Sequence, residues 1–583
     1  MRIIKTILLC LLMAAAVKPS AHALDTLNPD QLHSGMKGYG FSVFKGTTPE
    51  RFEVEVLGVL RNAFPKQDMI LIRMSGADLE KHKIIAGMSG SPIYIDGKLI
   101  GALAYGWGFE NEPLAGVTPI KNMLAELNVP ALPSLPKPIA SSSGSDRRWL
   151  QPPGVTPLVA ASDEQNSLAP RPLLTPLSLG GFSPRMIDIV SQEFKRFGLL
   201  ATAAGGSSSP ELRKPLMSIE PGSGLGVELI RGDFNAVAIG TATYVDKNKI
   251  LAFGHPFFRA GRVEAPAVLA EVHAIMSSLE TSFKLATSVS EIGAMVGDWQ
   301  SCIVADTKVK ANMIPVEIEV VNKSTGQHQH YQVEVMQNEE LTPLLVQLAL
   351  AQPIIAASGS SQDTTVHVNL TAELSDRKLQ VSDTYFNPSG GLLQLDALAP
   401  LVSVFNTPFG HTTVRRIDAQ VDASLTRRTA EIKRAFFSKA QVERGETVPL
   451  SIVLKPFGQD EITKTINIAV PAATDTMRQL AVTVLAGSDA PPDVAPPDSL
   501  DDYLNAIQKR HRATELVAIV QTPTQGLQYR GKLLKKLPAS VLTVLDDDST
   551  RDVNSAADVQ QLVAPTDWVL SGQASVRVPI RQE

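Results

Sequence analysis

A chain of 583 residues with 44% hydrophobic and 19% charged side chains is long enough for several domains, each with its own buried core. Its formal net charge of −5 excludes the dense basic surface that nucleic-acid binding needs. Cys10 and Cys302 are its two cysteines, which rules out a disulfide framework.

Arg2 and Lys5 open a short basic region, Ile7 to Val17 is an apolar run, and Ala21-His22-Ala23 is a small-residue cleavage site. Residues 1–23 therefore read as a secretory signal peptide. Loss of Arg2, Lys5 and Lys18 with that leader takes the net charge from −5 to −8 and leaves Cys302 as the single cysteine. Cys10 lies inside the apolar run and is not placed to accept a lipid. No later run is long and apolar enough to span a membrane, so no stable transmembrane anchor is expected after cleavage. The expected address is outside the inner membrane: periplasm, cell envelope or medium.

Residues 24–128 read as β-rich. Gly38 to Phe44 and Phe52 to Leu60 alternate apolar and polar side chains, the period of a half-buried strand, and Met69 to Met74 is a third strand. Ile93 to Ile95 and Leu99 to Tyr105 flank Asp96-Gly97, a dipeptide suited to a two-residue hairpin turn. Ala115 to Ile120 leads into a short helix near Lys121 to Leu127. Short strands joined by turns suit a small barrel. Residues 129–175 are Pro/Ser-rich and read as a linker. Residues 176–355 resume with a helix over Pro184 to Phe197 and strands at 226–230, 236–245, 250–253 and 314–335, then an apolar helix from about Glu340 to Gln352. Residues 364–470 alternate like a β-sandwich. Residues 471–500, with Pro491-Pro492-Asp493-Val494-Ala495-Pro496-Pro497, read as a second linker, and 501–583 as a small α+β domain.

The stretch with chemical content is Gly87-Met88-Ser89-Gly90-Ser91-Pro92. A serine nucleophile needs a sharp backbone bend and nearby N–H groups aimed at one point, and glycine permits both. The N–H groups of Gly87 and Ser89 are the candidate oxyanion donors. The second candidate is His255, at the end of a strand in Leu251-Ala252-Phe253-Gly254-His255, where it can serve as a general base.

The segment Ile85 to Pro92, followed by a hairpin ending Leu99-Ile100-Gly101-Ala102-Leu103-Ala104-Tyr105-Gly106, resembles the nucleophile segment of trypsin-like serine peptidases. It resembles more closely the SpoIVB-type (stage IV sporulation protein B) peptidase family. That resemblance implies that Ser89, not Ser91, is the nucleophile. Gly240-Thr241-Ala242-Thr243-Tyr244 leading to Gly254-His255 resembles the family's histidine segment. In the family the histidine segment comes first; here it follows, so the resemblance implies a permuted two-barrel core, mainly β. It covers residues of about 35 to 127 and 220 to 320. The orienting carboxylate is open between Asp298, ranked first, Asp78 and Asp306, or a dyad without one. The family's peptide-binding PDZ module is not evident, which leaves substrate recruitment to the sandwich.

Other polar residues read as structure. His328 and His330 share one strand face with no third metal ligand in view. His273 and Cys302 read as structural, and Lys532-Leu533-Leu534-Lys535-Lys536 as a solvated patch. No phosphate-binding or dinucleotide fingerprint occurs, and no cofactor is implied. The expected function is an exported serine endopeptidase acting on a protein or peptide substrate. The competing reading is a non-catalytic envelope scaffold on a degenerate peptidase fold, with a protein partner at the C-terminal β domains.

Overall fold

A computed structural model describes residues 25–107, 111–127, 129, 169–205, 218–338, 341–359, 363–387, 399–405, 407, 409, 412–472, 477–494, 497–529, 532–535 and 553–581. The expected signal peptide and most of the 129–175 linker lie outside them.

The chain opens with β1 (Lys37–Ser42), β2 (Glu50–Phe64), β3 (Gln67–Ser75), β4 (Ile85–Ala86), β5 (Pro92–Ile95), β6 (Lys98–Gly106) and β7 (Leu114–Pro119). All except β4 form a six-stranded barrel in the order β1-β2-β3-β7-β6-β5, with β5 pairing back onto β1. Alternation over residues 52–56 of β2 and 70–74 of β3 gives each strand an inward face. Phe52, Val54 and Val56 on β2 and Ile70, Ile72 and Met74 on β3 fill the interior, while Glu53 and Arg73 face out. The Asp96-Gly97 turn forms as expected, with φ of 50° and 76° and Ile95 paired with Lys98.

Next come β8 (Arg171–Pro172), β9 (Thr175–Gly180), β10 (Leu199–Ala203), β11 (Gly224–Gly232), β12 (Asn235–Asp246), β13 (Lys249–Ala252), β14 (Gly261–Met276), β15 (Ser282–Asp298) and β16 (Ile303–Asp306). β8 extends the first barrel at β6. The ladders β11-β12-β13-β16-β15-β14 run in a ring, β14 returning to β11. The helix Pro184–Phe194 joins β9 to β10 and buries Met186, Val190 and Phe194, its four-residue spacing giving one apolar face. β4 leaves its own barrel to pair in parallel with the start of β15, Ile85 with Ser282 and Ala86 with Phe283. The serine segment is thereby anchored on the second group of strands.

The sheet continues through β17 (Met313–Asn322), β18 (Gln327–Met336), β19 (Thr364–Leu374), β20 (Lys378–Asn387) and β21 (Val414–Ser424), with β18 on β11 and β21 parallel to β17. The almost wholly apolar helix Thr342–Ser358 is buried against β17, β18 and β21. The remaining strands are β22 (Thr429–Phe437), β23 (Thr447–Pro456), β24 (Ile462–Ala469), β25 (Gln479–Ala486), β26 (Glu515–Tyr529), β27 (Lys532–Lys535), β28 (Val553–Pro565), β29 (Val569–Ser571) and β30 (Gln573–Pro579). They form two sheets over one core that includes Leu450, Ile452, Val482, Val484, Leu516, Leu570 and Val578.

The expected sandwich over 364–470 is thus divided. The pairing of Val316 with Ile417 draws 364–424 into the large sheet, and only the strands from 429 onward build the sandwich. The expected linker 471–500 contains β25, and strands from the expected C-terminal domain share the sandwich core. Among the described residues no helix is long and apolar enough to cross a membrane.

Candidate active site

Gly87 and Gly90, with φ of 94° and 96°, bracket a tight bend that carries Ser89. β12 holds this bend by its threonines. Thr241 Oγ1 donates to the Gly87 carbonyl at 2.9 Å, Thr241 N to the Ser89 carbonyl at 2.9 Å, and Thr243 Oγ1 to the Gly90 carbonyl at 2.7 Å. That is why the Thr-Ala-Thr spacing matters: residues two apart on a strand share a face. The far side of the bend is held by β6, where the Gly90 N–H donates to the Leu103 carbonyl at 2.7 Å. The Gly87 and Ser89 N–H groups are in no turn or loop hydrogen bond among the described residues. Ser89 is fully buried, and its Oγ has no hydrogen-bond partner.

His255 follows β13 through Phe253 and Gly254, both at positive φ, 69° and 72°. Such a backbone is strained for a phenylalanine, and strain of this kind gathers at sites where a side chain must be aimed. Thr118 of β7 donates to the Gly254 carbonyl at 2.6 Å, tying the histidine turn to the first barrel. The ring is 2% exposed. Its Nδ1 lies 2.8 Å from the Pro256 carbonyl, which only accepts, so Nδ1 carries the proton and Nε2 the lone pair. Nε2 is buried without a partner. Burial pushes the imidazole down to about 4, leaving the ring neutral at pH 7.

The two segments meet backbone to backbone. A Cβ on Gly90 would stand 2.0 Å from the Thr241 carbonyl oxygen and 2.5 Å from the Phe253 nitrogen. A Cβ on Gly254 would stand 3.2 Å from the Leu103 carbonyl oxygen that accepts from Gly90. Ser89 adjoins Gly90, and His255 adjoins Gly254.

None of the three candidate carboxylates is hydrogen-bonded to the His255 ring. Asp298, at the end of β15, is buried and accepts from the backbone N–H groups of Phe257 at 2.8 Å, Phe258 at 2.6 Å and Ala260 at 3.1 Å. It caps the loop after His255, and burial raises its pKa. The expectation of a direct Asp298–imidazole bond is therefore replaced by support of the loop. Asp298→Ala is expected to strand these N–H groups, to cost about 3 kcal/mol, and to speed amide exchange over 257–260. An unchanged melting temperature would show that the loop has another support. Asp78 is exposed at φ 58° before a helical turn, Leu79–His82. Asp306 is engaged by Asn248, by Lys249 at 2.9 Å and by the Lys308 N–H.

Lys284, which no sequence motif marks, is fully buried at the start of β15. Its Nζ donates to Ser42 Oγ at 2.9 Å and Thr241 Oγ1 at 3.3 Å, and burial pushes the amine down to about 7. The signal was obscured because β15 runs inverted here: Ser282, Lys284 and Ala286 face in, while Phe283 and Leu285 are half-buried. His328 and His330 are exposed on β18, and His273 Nε2 lies 2.8 Å from Thr287 Oγ1. Cys302 is buried with its thiol pushed up, chiefly by that burial. Among the described residues no cluster of three or more His, Cys, Asp or Glu is arranged to hold a metal ion.

Residues 21–124 match the family model of the SpoIVB peptidase S55 domain. The matched stretch takes in the first barrel and Ser89, and it ends well before His255. No curated protein and no solved structure matches the chain.

Proposed function

We propose that this chain is an exported serine endopeptidase of the SpoIVB type, with Ser89 as nucleophile and His255 as general base. One observation carries the reading: two buried polar atoms without partners, Ser89 Oγ and His255 Nε2, on segments in backbone contact. The two atoms are not hydrogen-bonded to each other; an unsatisfied buried polar atom costs folding free energy, so two of them on touching segments call for a functional reason.

In the proposed reaction Nε2 takes the proton from Ser89 Oγ as the oxygen attacks a peptide carbonyl. The N–H groups of Gly87 and Ser89 donate to the oxyanion. His255 then protonates the leaving amine, and water releases the acyl group by the same steps reversed. The Pro256 carbonyl fixes the tautomer, a task elsewhere given to a carboxylate, but it brings no full negative charge. Asp298 acts at one remove, through the loop. The two rings of strands are read as the two barrels of a permuted core, serine barrel first. A long connection permits this, since loop closure grows costlier only slowly with length. Residues 1–23 direct export, and the C-terminal sandwich is the place for an envelope partner.

The complete burial of Ser89 and the lack of a carboxylate on the ring favour a second reading, a non-catalytic scaffold on a peptidase fold. A fluorophosphonate probe on the mature chain separates them. Labelling that maps to Ser89 and disappears in Ser89→Ala supports the enzyme. No labelling, even after limited proteolysis to open the site, or equal labelling of the variant, leaves the scaffold.

A further inference from the structure

Lys284 has no role in that mechanism, yet it reaches β1, β12 and the serine bend itself. Its Cγ and Cδ lie 3.3 and 3.2 Å from where a Cβ on Gly87 would stand. Its own strand pairs with Ile85 and Ala86, directly before Gly87. Nζ reaches Ser42 of β1, whose oxygen also accepts from Ser91 Oγ at 3.0 Å. Nζ also reaches Thr241, whose hydroxyl passes the chain on to the Gly87 carbonyl. One amine thus donates to two hydroxyls: that of Thr241, which donates on to the Gly87 carbonyl, and that of Ser42, which also accepts from Ser91, with Gly87 and Ser91 on either side of Ser89.

The number of acceptors is decisive. Nζ has two, Ser42 Oγ and Thr241 Oγ1, which match the two N–H bonds of a neutral amine. An ammonium would bring a third donor with no acceptor among the described residues, in a fully buried place. β1, the serine bend and β12 face it with Ser42, Gly87 and Thr241. No charged group among the described residues acts on it; burial alone does.

We propose that Lys284 is an uncharged positioning residue of the serine segment, holding the Gly87 carbonyl through Thr241 and the Ser91 hydroxyl through Ser42 only while its amine is unprotonated. This deepens the peptidase reading and rests on it for its catalytic consequence; the structural part stands on its own. Lys284→Met keeps the stem and removes the amine, and Thr241→Val removes the relay to Gly87.

Hydrogen–deuterium exchange over residues 85–91 at pH 8, read on both variants beside the wild type, tests the positioning. At least tenfold faster exchange in both is expected; wild-type protection in Lys284→Met overturns the proposal. Peptide hydrolysis against pH tests the charge state. The wild-type kcat is expected to fall below about pH 7, where the amine takes its proton. In Lys284→Met kcat drops at least tenfold at pH 8 with KM unchanged, and its acid limb moves toward about 4, where His255 is protonated. A limb that stays in place overturns the proposal. Should neither protein hydrolyse peptide at any pH, the peptidase reading falls, and the exchange data alone decide the role of Lys284.

Discussion

On the proposed mechanism Ser89→Ala is expected to abolish peptide hydrolysis, with a loss on the order of 10⁴-fold or more in kcat. Its expected effect on stability has the opposite sign from most core substitutions. The Ser89 hydroxyl is buried with no partner, so its removal relieves an unsatisfied polar atom, worth about 1 kcal/mol or slightly more. Activity assays and thermal melts on the same preparation check both halves. The pattern that supports the proposal is lost turnover with an equal or higher melting temperature. A variant that loses turnover and also melts lower has lost structure, and its inactivity says nothing about the nucleophile. His255→Ala should lose turnover to a similar degree, because nucleophile and base act as a unit.

Gly90→Ala is the expected structural catastrophe of the site. At φ 96° an L side chain is already strained, by about 1–2 kcal/mol. Steric overlap costs more than this strain. The added Cβ would stand 2.0 Å from the Thr241 oxygen and 2.5 Å from the Phe253 nitrogen, both backbone atoms of ordered strand and turn. Neither can yield without breaking the β12 contacts that hold the bend. The cost should exceed about 4 kcal/mol, enough to unfold a protein of ordinary stability. Gly87→Ala is the control. Its φ is nearly the same, 94°, but the neighbours of its Cβ are side-chain atoms of Lys284 and Pro176 at 3.2 to 3.3 Å. It should cost about 1–2 kcal/mol and leave the chain folded. Chemical denaturation of the two variants, together with soluble yield, measures the difference. Equal stabilities would mean that the histidine turn gives way easily, and the rigid backbone contact claimed for the site would be wrong.

Local pattern carried the first barrel. The alternation over residues 52–56 and 70–74, and the Asp96-Gly97 turn, are visible in sequence because the patterns they report are local. The serine bend was legible for the same reason, and the threonine pair of β12 by resemblance, though its task of gripping the bend was not. What stayed hidden depends on partners far along the chain. Asp298, expected on the His255 ring, accepts instead from the N–H groups of the loop that follows that histidine. Lys284 sits on a strand whose polar residues face inward, the reverse of the usual reading of alternation. The allocation of β19 to β21 turned on a parallel ladder between residues about a hundred positions apart, which no local period encodes.

The return of the last strands has a practical consequence for anyone dissecting the protein. β29 lies beside β22, and β30 beside β25, so Leu570 and Val578 complete an interior begun at residue 430. A stop codon anywhere from 487 to 568 would therefore not trim a tail; it would strip the lining from one side of the sandwich and leave a sticky, aggregation-prone remnant. An end near residue 426, between β21 and β22, is no cleaner, because Tyr503, Leu504 and Ile507 of the later helix Leu500–Gln508 are buried in the core of the larger sheet.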